Sequence, residues 1–395
     1  MRDLPSIDRA RELVLARTHP LGPETVEITQ AAGRILAAAP TAAVDLPPFA
    51  SSAMDGYAVR AADTPGRLRV VGQSAAGRPY GGETGPGEAV LISTGAVVPT
   101  GADAVVPVER IERDGDGVRV EAVDAGAHVR PRAGDVHAGA EVAPAGIALG
   151  ASQVGALAAA GVATVLCGRR PRLGILATGS ELRTPGSALG PGEIYESNSL
   201  ALAAQAASAG ALVEVFSSVA DDRAATRAAI GRGLELDLFI TSGGVSVGPH
   251  DLVRGVLAEL GAQEIFWRVA VKPGKPVAFS VAAETLVFGL PGNPVSSLVA
   301  FELFVRPAIE ALQGLAEPGP RWLPGRLAVA VTRGEGRDEL LRARADVEDD
   351  AVFLTPVTGQ ESHMIARSAV ANALVLVRRG VGVVEREAPV SYLQL

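Results

Sequence analysis

"LDLFITSGGVSVGPHD", Leu236 to Asp251, supports two incompatible readings. Inside it, Gly244-Val245-Ser246-Val247-Gly248 matches G-x-S-x-G, the turn that lifts a hydrolase serine above its sheet. The same stretch also reads as a buried strand, a glycine loop and an acidic helix start, the build of an anion cradle. An elbow serine follows its strand almost directly, whereas the apolar run here ends near Ile240, six residues early. A triad would also need a later acid and histidine. Beyond the adjacent His250 only His363 lies downstream, in what reads as another domain. The cradle is the better reading: Gly243, Gly244 and Ser246 turn backbone N–H groups toward an anion.

A cradle needs a sheet beneath it, and the flanking sequence supplies one. Residues 169–318 alternate apolar runs ("RLGILAT", "LVEVFSSV", "LDLFITS", "TLVFGL") with helical ones ("SLALAAQAASAG", "DRAATRAAIGRGL", "DLVRGVLAEL", "PVSSLVAFELFVRPAIEAL"). That rhythm predicts a doubly wound α/β domain with parallel strands. Ligands of such sheets bind beyond the carboxyl ends of the strands. Glycine loops at 178–182, 242–248 and 289–294 should therefore share one crevice.

Around this block the chain changes character. Residues 1–43 read as helical, with Ser6 capping "IDRARELVLA" and "ITQAAGRILAAA" running to Pro40. Residues 44–138 hold short β-like runs between turns, a small all-β unit. Residues 139–168 are Ala-rich and apolar again, so the β unit reads as an insertion into one discontinuous helical layer. Residues 319–395 return to short strands and form a small C-terminal β domain. The expected architecture is multidomain, α/β plus β.

The bulk numbers agree. At 395 residues the chain exceeds one ordinary core. Its 36 basic and 44 acidic residues leave a net charge of −8, which argues against nucleic acid or an anionic membrane as partner. The one cysteine, Cys167, excludes an internal disulfide. The charged N-terminus lacks a signal-peptide core, and the longest apolar run is too short to span a bilayer. A soluble cytoplasmic protein is the simplest reading.

Both of the chain's lysines, Lys272 and Lys275, fall in "VKPGKPVAF" of a sequence that otherwise uses arginine. Two compact ammonium groups on a Pro-Gly turn suit a small oxyanion or a phosphate. Glu181, Asp221 and Asp251 stand at expected strand ends or helix starts. Carboxylates beside phosphate-binding glycines are the usual way to hold Mg²⁺, although for Asp221 and Asp251 simple helix capping is an equal alternative. Asn293, in "GLPGNPVSS", offers a rigid amide or an ordinary cap. Asp55 in "SAMDGYA" and Thr94 in "STGAVVPTGAD" remain unassigned by turn chemistry. In "RPRAGDVHAGAEV", Arg130, Arg132 and Asp135 read as a structural ion pair.

Taken in order, "SAMDGYA", "TGA", "PTGADAVVPVE", "TGSEL", "SNS", "TSGGVSVGPHD", "VKPGKP" and "GLPGNPVS" resemble the molybdopterin molybdotransferases, the MoeA-type enzymes. The resemblance covers nearly the whole chain. It implies a molybdopterin-binding α/β domain, a helical layer with an inserted β domain, and a β-barrel-like C-terminal domain. It further implies Mg²⁺-dependent insertion of molybdate into adenylylated molybdopterin with release of AMP. The assembly implied is a homodimer whose active site lies between subunits, so that Asp55 and Thr94 of one chain face the α/β domain of the other. Exchange with a molybdopterin adenylyltransferase and with downstream cofactor-handling proteins also follows.

On matching positions, Asp55, Glu181, Asp221, Asp251, Lys272 and Lys275 would be catalytic, with Glu181, Asp221 and Asp251 on the metal. Thr94, Gly243, Gly244, Ser246, Pro291, Asn293, Pro294, Arg342 and Ser362 would contact substrate. Arg268, in "FWRVAVK", departs from the lysine of many relatives, and Ser51-Ser52 replaces a common Asp-Asn. The rival readings are a molybdopterin adenylyltransferase, which would need only the α/β block, and a non-catalytic pterin-binding scaffold, which would not keep two lone lysines in one turn.

Overall fold

The computed structural model describes residues 4–217, 222–244 and 252–395. Helix α1 (Ile7–Leu15) starts as expected: Ser6 Oγ accepts from the Arg9 amide at 3.2 Å. It buries Ile7, Ala10 and Val14 against the helices of the α/β domain. The second helix expected in this segment does not form. Residues 28–30 make one 3₁₀ turn, after which the Gly33 and Leu36 amides donate to the carbonyls of Leu149 and Ile147. Pairing with a distant segment outcompetes the local helical propensity of the alanines.

That distant segment is the return of the chain from the insertion. Strand Pro23–Glu27 pairs antiparallel with Thr164–Gly168, and helix α2 (Ala151–Ala159) covers them through Leu157, in one cluster with Leu149 just before the helix. Between the two halves, residues 56–120 form a six-stranded sheet with its own core, including Tyr57, Leu68 and Val106. Its entry is pinned by Asp45, which accepts from Arg132 Nε at 2.6 Å and from the Ala138 amide at 2.8 Å. The ion pair expected in "RPRAGD" thus exists, but its acid is Asp45 and not Asp135.

The α/β domain contains β1 (Arg172–Ala177), β2 (Leu212–Val215), β3 (Leu238–Ser242), β4 (Gln263–Trp267), β5 (Ala278–Ala282) and β6 (Thr285–Leu290). The sheet order is β2-β1-β3-β6-β5-β4. The first four strands in that order are parallel, as the alternating rhythm required. β5 and β4 then add two antiparallel strands at the edge, which makes the sheet mixed. Helices α3 (Asn198–Ser208), α6 (Pro294–Ala300) and α7 (Arg306–Leu312) pack on one face with α1. Helices α4 (Arg223–Gly233) and α5 (Leu252–Glu259) cover the other. A π-type turn, Phe301–Val305, joins α6 to α7 within what the sequence reads as one helix.

The C-terminal region closes on itself. Strand Asp338–Glu348 pairs with both Ala351–Pro356 and Ala373–Val377, which completes a small barrel through Leu323–Leu327 and Pro389–Gln394. The barrel is stitched to the α/β domain by a two-residue strand: Val271–Lys272 runs parallel to Asp338–Glu339. That short pairing places the lysine turn at a domain junction.

Candidate functional site

The crevice lies at the carboxyl ends of β1, β3 and β6, where three loops meet. The Thr178 amide donates to Ser242 O at 3.1 Å, and the Gly243 amide to Leu290 O at 3.1 Å. Asn198, the first residue of α3, ties the group together: its Nδ2 donates to Ser242 Oγ and to Gly292 O, each at 2.8 Å. One half-buried amide therefore links the β3 and β6 loops to each other. Ser297 Oγ adds a further bond to Pro291 O, the carbonyl just before Gly292.

Gly243 and Gly244 have φ of +91° and +66°, a left-handed turn open to glycine. A side chain at Gly244 would also bring its Cβ within 2.5 Å of Val253 Cγ2 on α5. Helix α5 closes in behind the turn, whose Gly243 amide is held by Leu290 O. Strand β3 ends at Ser242, two residues beyond the end expected from apolarity, and still four residues before Ser246. Ser246, Asp221 and Asp251 lie outside the described residues. Beneath the turn, Thr241 Oγ1 is fully buried and finds no partner among the described residues.

Glu181 is exposed at the mouth of the first loop. Among the described residues no three acids, histidines or cysteines cluster as a metal cage. A lone carboxylate at the rim is nevertheless what Mg²⁺ requires when it keeps its waters and shares substrate phosphates. Lys272 and Lys275 rise on the neighbouring turn, both exposed. Lys272 Nζ is not free: it lies 3.2 Å from Glu339 Oε2, a largely buried carboxylate of the barrel. Sequence reasoning missed Glu339, whose role depends on the strand pairing across the junction.

Asn293 precedes α6 but makes no side-chain cap. Its Nδ2 instead donates to Ser362 Oγ at 2.9 Å, while the Val295 amide donates to Ser362 O at 3.1 Å. Of the two alternatives the cap is therefore excluded, and Asn293, Pro294 and Ser362 form a second seam between domains. Arg342 is not an exposed anion contact. It is 2% exposed, with Nη1 donating to Met364 O at 2.6 Å and Nη2 to Gly359 O at 2.6 Å. Burial pushes its guanidinium pKa down. Its Nη1 and Nη2 are directed to backbone carbonyls and shape the Ser362 loop, while its buried Nε finds no partner among the described residues.

Asp55 and Thr94 sit side by side on the exposed end of the inserted sheet, the Thr94 amide donating to Asp55 Oδ1 at 2.7 Å. Among the described residues no hydrogen bond joins that sheet to the glycine loops. A separate cavity of about 750 Å³ is walled by Gln205, Val295, Glu302, Arg306, Arg342 and Leu393. Its polar groups are largely tied to one another, as in the Arg306–Glu302 pair at 2.5 Å, and the loop crevice is the better candidate site.

Fold and site together define a multidomain protein whose α/β unit brings three glycine loops together beside a barrel-borne seam. The comparisons with known proteins agree along the chain. Residues 5–161 match the MoeA N-terminal region (domain I and II), 174–311 a probable molybdopterin binding domain, and 324–395 the MoeA C-terminal region (domain IV). Molybdopterin molybdenumtransferase 2 of Mycobacterium tuberculosis is 38% identical over 88% of this chain and 89% of that protein. The molybdopterin molybdenumtransferase of Haemophilus influenzae is 34% identical over 95% of each. The crystal structure of a molybdopterin biosynthesis MoeA protein from Pyrococcus horikoshii superposes with a TM-score of 0.82 at 30% identity, covering 99% of both chains. The chain belongs to the MoeA family.

Proposed function

We propose that this chain transfers molybdenum from molybdate to the dithiolene of adenylylated molybdopterin, releasing AMP. The observation that carries the reading is the Asn198 bridge, which ties two glycine loops together at the end of the sheet that also leads into the Lys272–Lys275 turn. Family membership supports the same reaction class. The Gly244 amide and the exposed loop of Glu181 receive the phosphate region, the Gly243 amide being spent on Leu290 O. Lys272 and Lys275 draw the oxyanion to it, so that two mutually repelling anions are held in one place, where proximity supplies much of the rate. Mg²⁺, held by Glu181 with Asp221 and Asp251, would screen the phosphate charge as AMP departs. Pro291 and Pro294 keep the third loop rigid around Asn293.

The functional unit in this reading is a homodimer. Asp55 and Thr94 are exposed and adjacent, yet their own chain gives them no ligand to meet. An apolar surface for association is present near α3: Leu200 is 57% exposed, Ile194 54% and Leu212 50%. The substrate would come from a molybdopterin adenylyltransferase and the product would pass to cofactor-handling proteins. Among the described residues no helix is long and apolar enough to cross a membrane.

The test is reconstitution of a cofactor-free molybdoenzyme by this protein with adenylylated molybdopterin and micromolar molybdate. Activity that depends on the protein supports the reading. Formation of adenylylated molybdopterin from ATP, without reconstitution, would assign the preceding step instead.

A further inference from the structure

Arg268 combines a strained backbone with a cation that, among the described residues, stacks on Trp267 and pairs with no carboxylate. Its φ is +73°, a left-handed backbone that a long side chain adopts only under constraint. Its guanidinium carbon lies 3.8 Å from the centroid of Trp267, and that of Arg254 lies 4.1 Å from the same centroid. Two guanidinium groups cannot share one face at those distances, so the indole is sandwiched. The two cations are not equivalent. Arg254 is neutralised by Glu264 through Nε at 2.9 Å and Nη2 at 3.0 Å. Arg268 has no carboxylate within ion-pair reach among the described residues.

The stack stands at the level of the crevice. Trp267 is in register with Ala278, Ala278 with Gly289, and Gly289 with Thr241, the residue next to the Ser242 end of β3. The Arg268 amide donates to Val277 O at 2.8 Å, and the Val269 amide to Lys275 O at 3.0 Å. These bonds close the neck of the loop that carries both lysines. An arginine stacked by its face keeps its in-plane N–H edge available for a bidentate phosphate contact.

We infer that Trp267 is a positioning residue: with Arg254 on its far face, it holds Arg268 beside the lysine turn as a third cation for the substrate phosphate. This rests on the transfer reading above for the identity of the ligand. It accounts for arginine here, because a flat guanidinium needs a flat support that a lysine would not. Constraint by the stack also explains why the left-handed backbone is tolerated at residue 268.

The chain has two tryptophans, so a Trp322→Phe background leaves Trp267 as the sole reporter. Titration with AMP is expected to give a saturable change in its emission, and Arg268→Met to weaken AMP binding about tenfold by equilibrium dialysis. Trp267→Leu should weaken it about fivefold and Trp267→Phe restore most of it, with melting temperatures close to the parent. Unchanged AMP affinity in a folded Trp267→Leu variant would overturn the inference. AMP binding that depends on Trp267, in a protein that never releases AMP from the adenylylated pterin, would sink the transfer reading and leave this one standing.

Discussion

Lys272 Nζ and Glu339 Oε2 meet at 3.2 Å across the junction of the α/β domain and the C-terminal barrel. The lysine side chain is 54% exposed and the carboxylate 14%. An anion arriving at the turn must therefore share the ammonium with a resident carboxylate. Lys272→Ala is predicted to lower turnover at least about 100-fold, the scale expected when a charge-stabilising donor is lost. Its melting temperature should stay within about 2 °C, since a half-exposed pair contributes roughly 0–1 kcal/mol. Glu339→Gln should tighten inorganic molybdate binding several-fold by calorimetry.

Asn198 acts through geometry alone. Replacing it with alanine removes both 2.8 Å bonds and leaves Ser242 and Gly292 unlinked. A cost of about 1–2 kcal/mol in urea unfolding is expected. kcat should fall further than that cost suggests, because the Gly292 carbonyl is no longer held to the end of β3.

Arg342 separates a structural role from a ligand role. Arg342→Met should destabilise the barrel by roughly 2–4 kcal/mol, as carbonyls of residues 359–364 lose charge-assisted bonds. Protein that remains folded at low temperature should bind AMP with near-parental affinity. A large loss of affinity in the folded fraction would restore Arg342 as an anion contact.

Gly244→Ala would place a methyl at φ +66° and 2.5 Å from Val253 Cγ2. Strain of about 1–3 kcal/mol at such a position should displace the turn or α5. The expected result is loss of AMP binding with a modest drop in melting temperature. Gly231→Ala on α4, where nothing lies within 4 Å, is the matched control.

Asp237, which leads into β3, sets an acid limit on stability. Burial raises its pKa, but Arg169 at 2.9 Å and the Arg172 amide at 2.7 Å outweigh burial and hold it below its ordinary value. A folded pKa below the unfolded value of about 3.9 contributes stability in full above that pH, lost as pH falls through the folded pKa. Unfolding midpoints should therefore decline below about pH 4, and Asp237→Asn should flatten the decline.

Much of this was legible in the sequence, for physical reasons that differ by element. The parallel strands announced themselves because strands buried on both faces are continuously apolar. The glycine loops followed from strand ends, and the lysine turn from its isolation in an arginine-rich chain. What failed was set by contacts distant in sequence. Residues 31–39 have helical composition, yet the Gly33 and Leu36 amides pair with Leu149 and Ile147. Strand Asp338–Glu348 carries too many charges to look like a barrel wall, and Glu339 and Arg342 reside on it. Asn198 was visible within the "SNS" motif, with nothing local to show what it joins.

The most direct test of the account is AMP release from adenylylated molybdopterin by the purified protein, with molybdate and Mg²⁺ each supplied or withheld. The account predicts release that needs both, and loss of that release in Lys272→Ala. Tight pterin binding with no AMP released under any condition would contradict it, and would leave a cradle that holds its ligand without reacting.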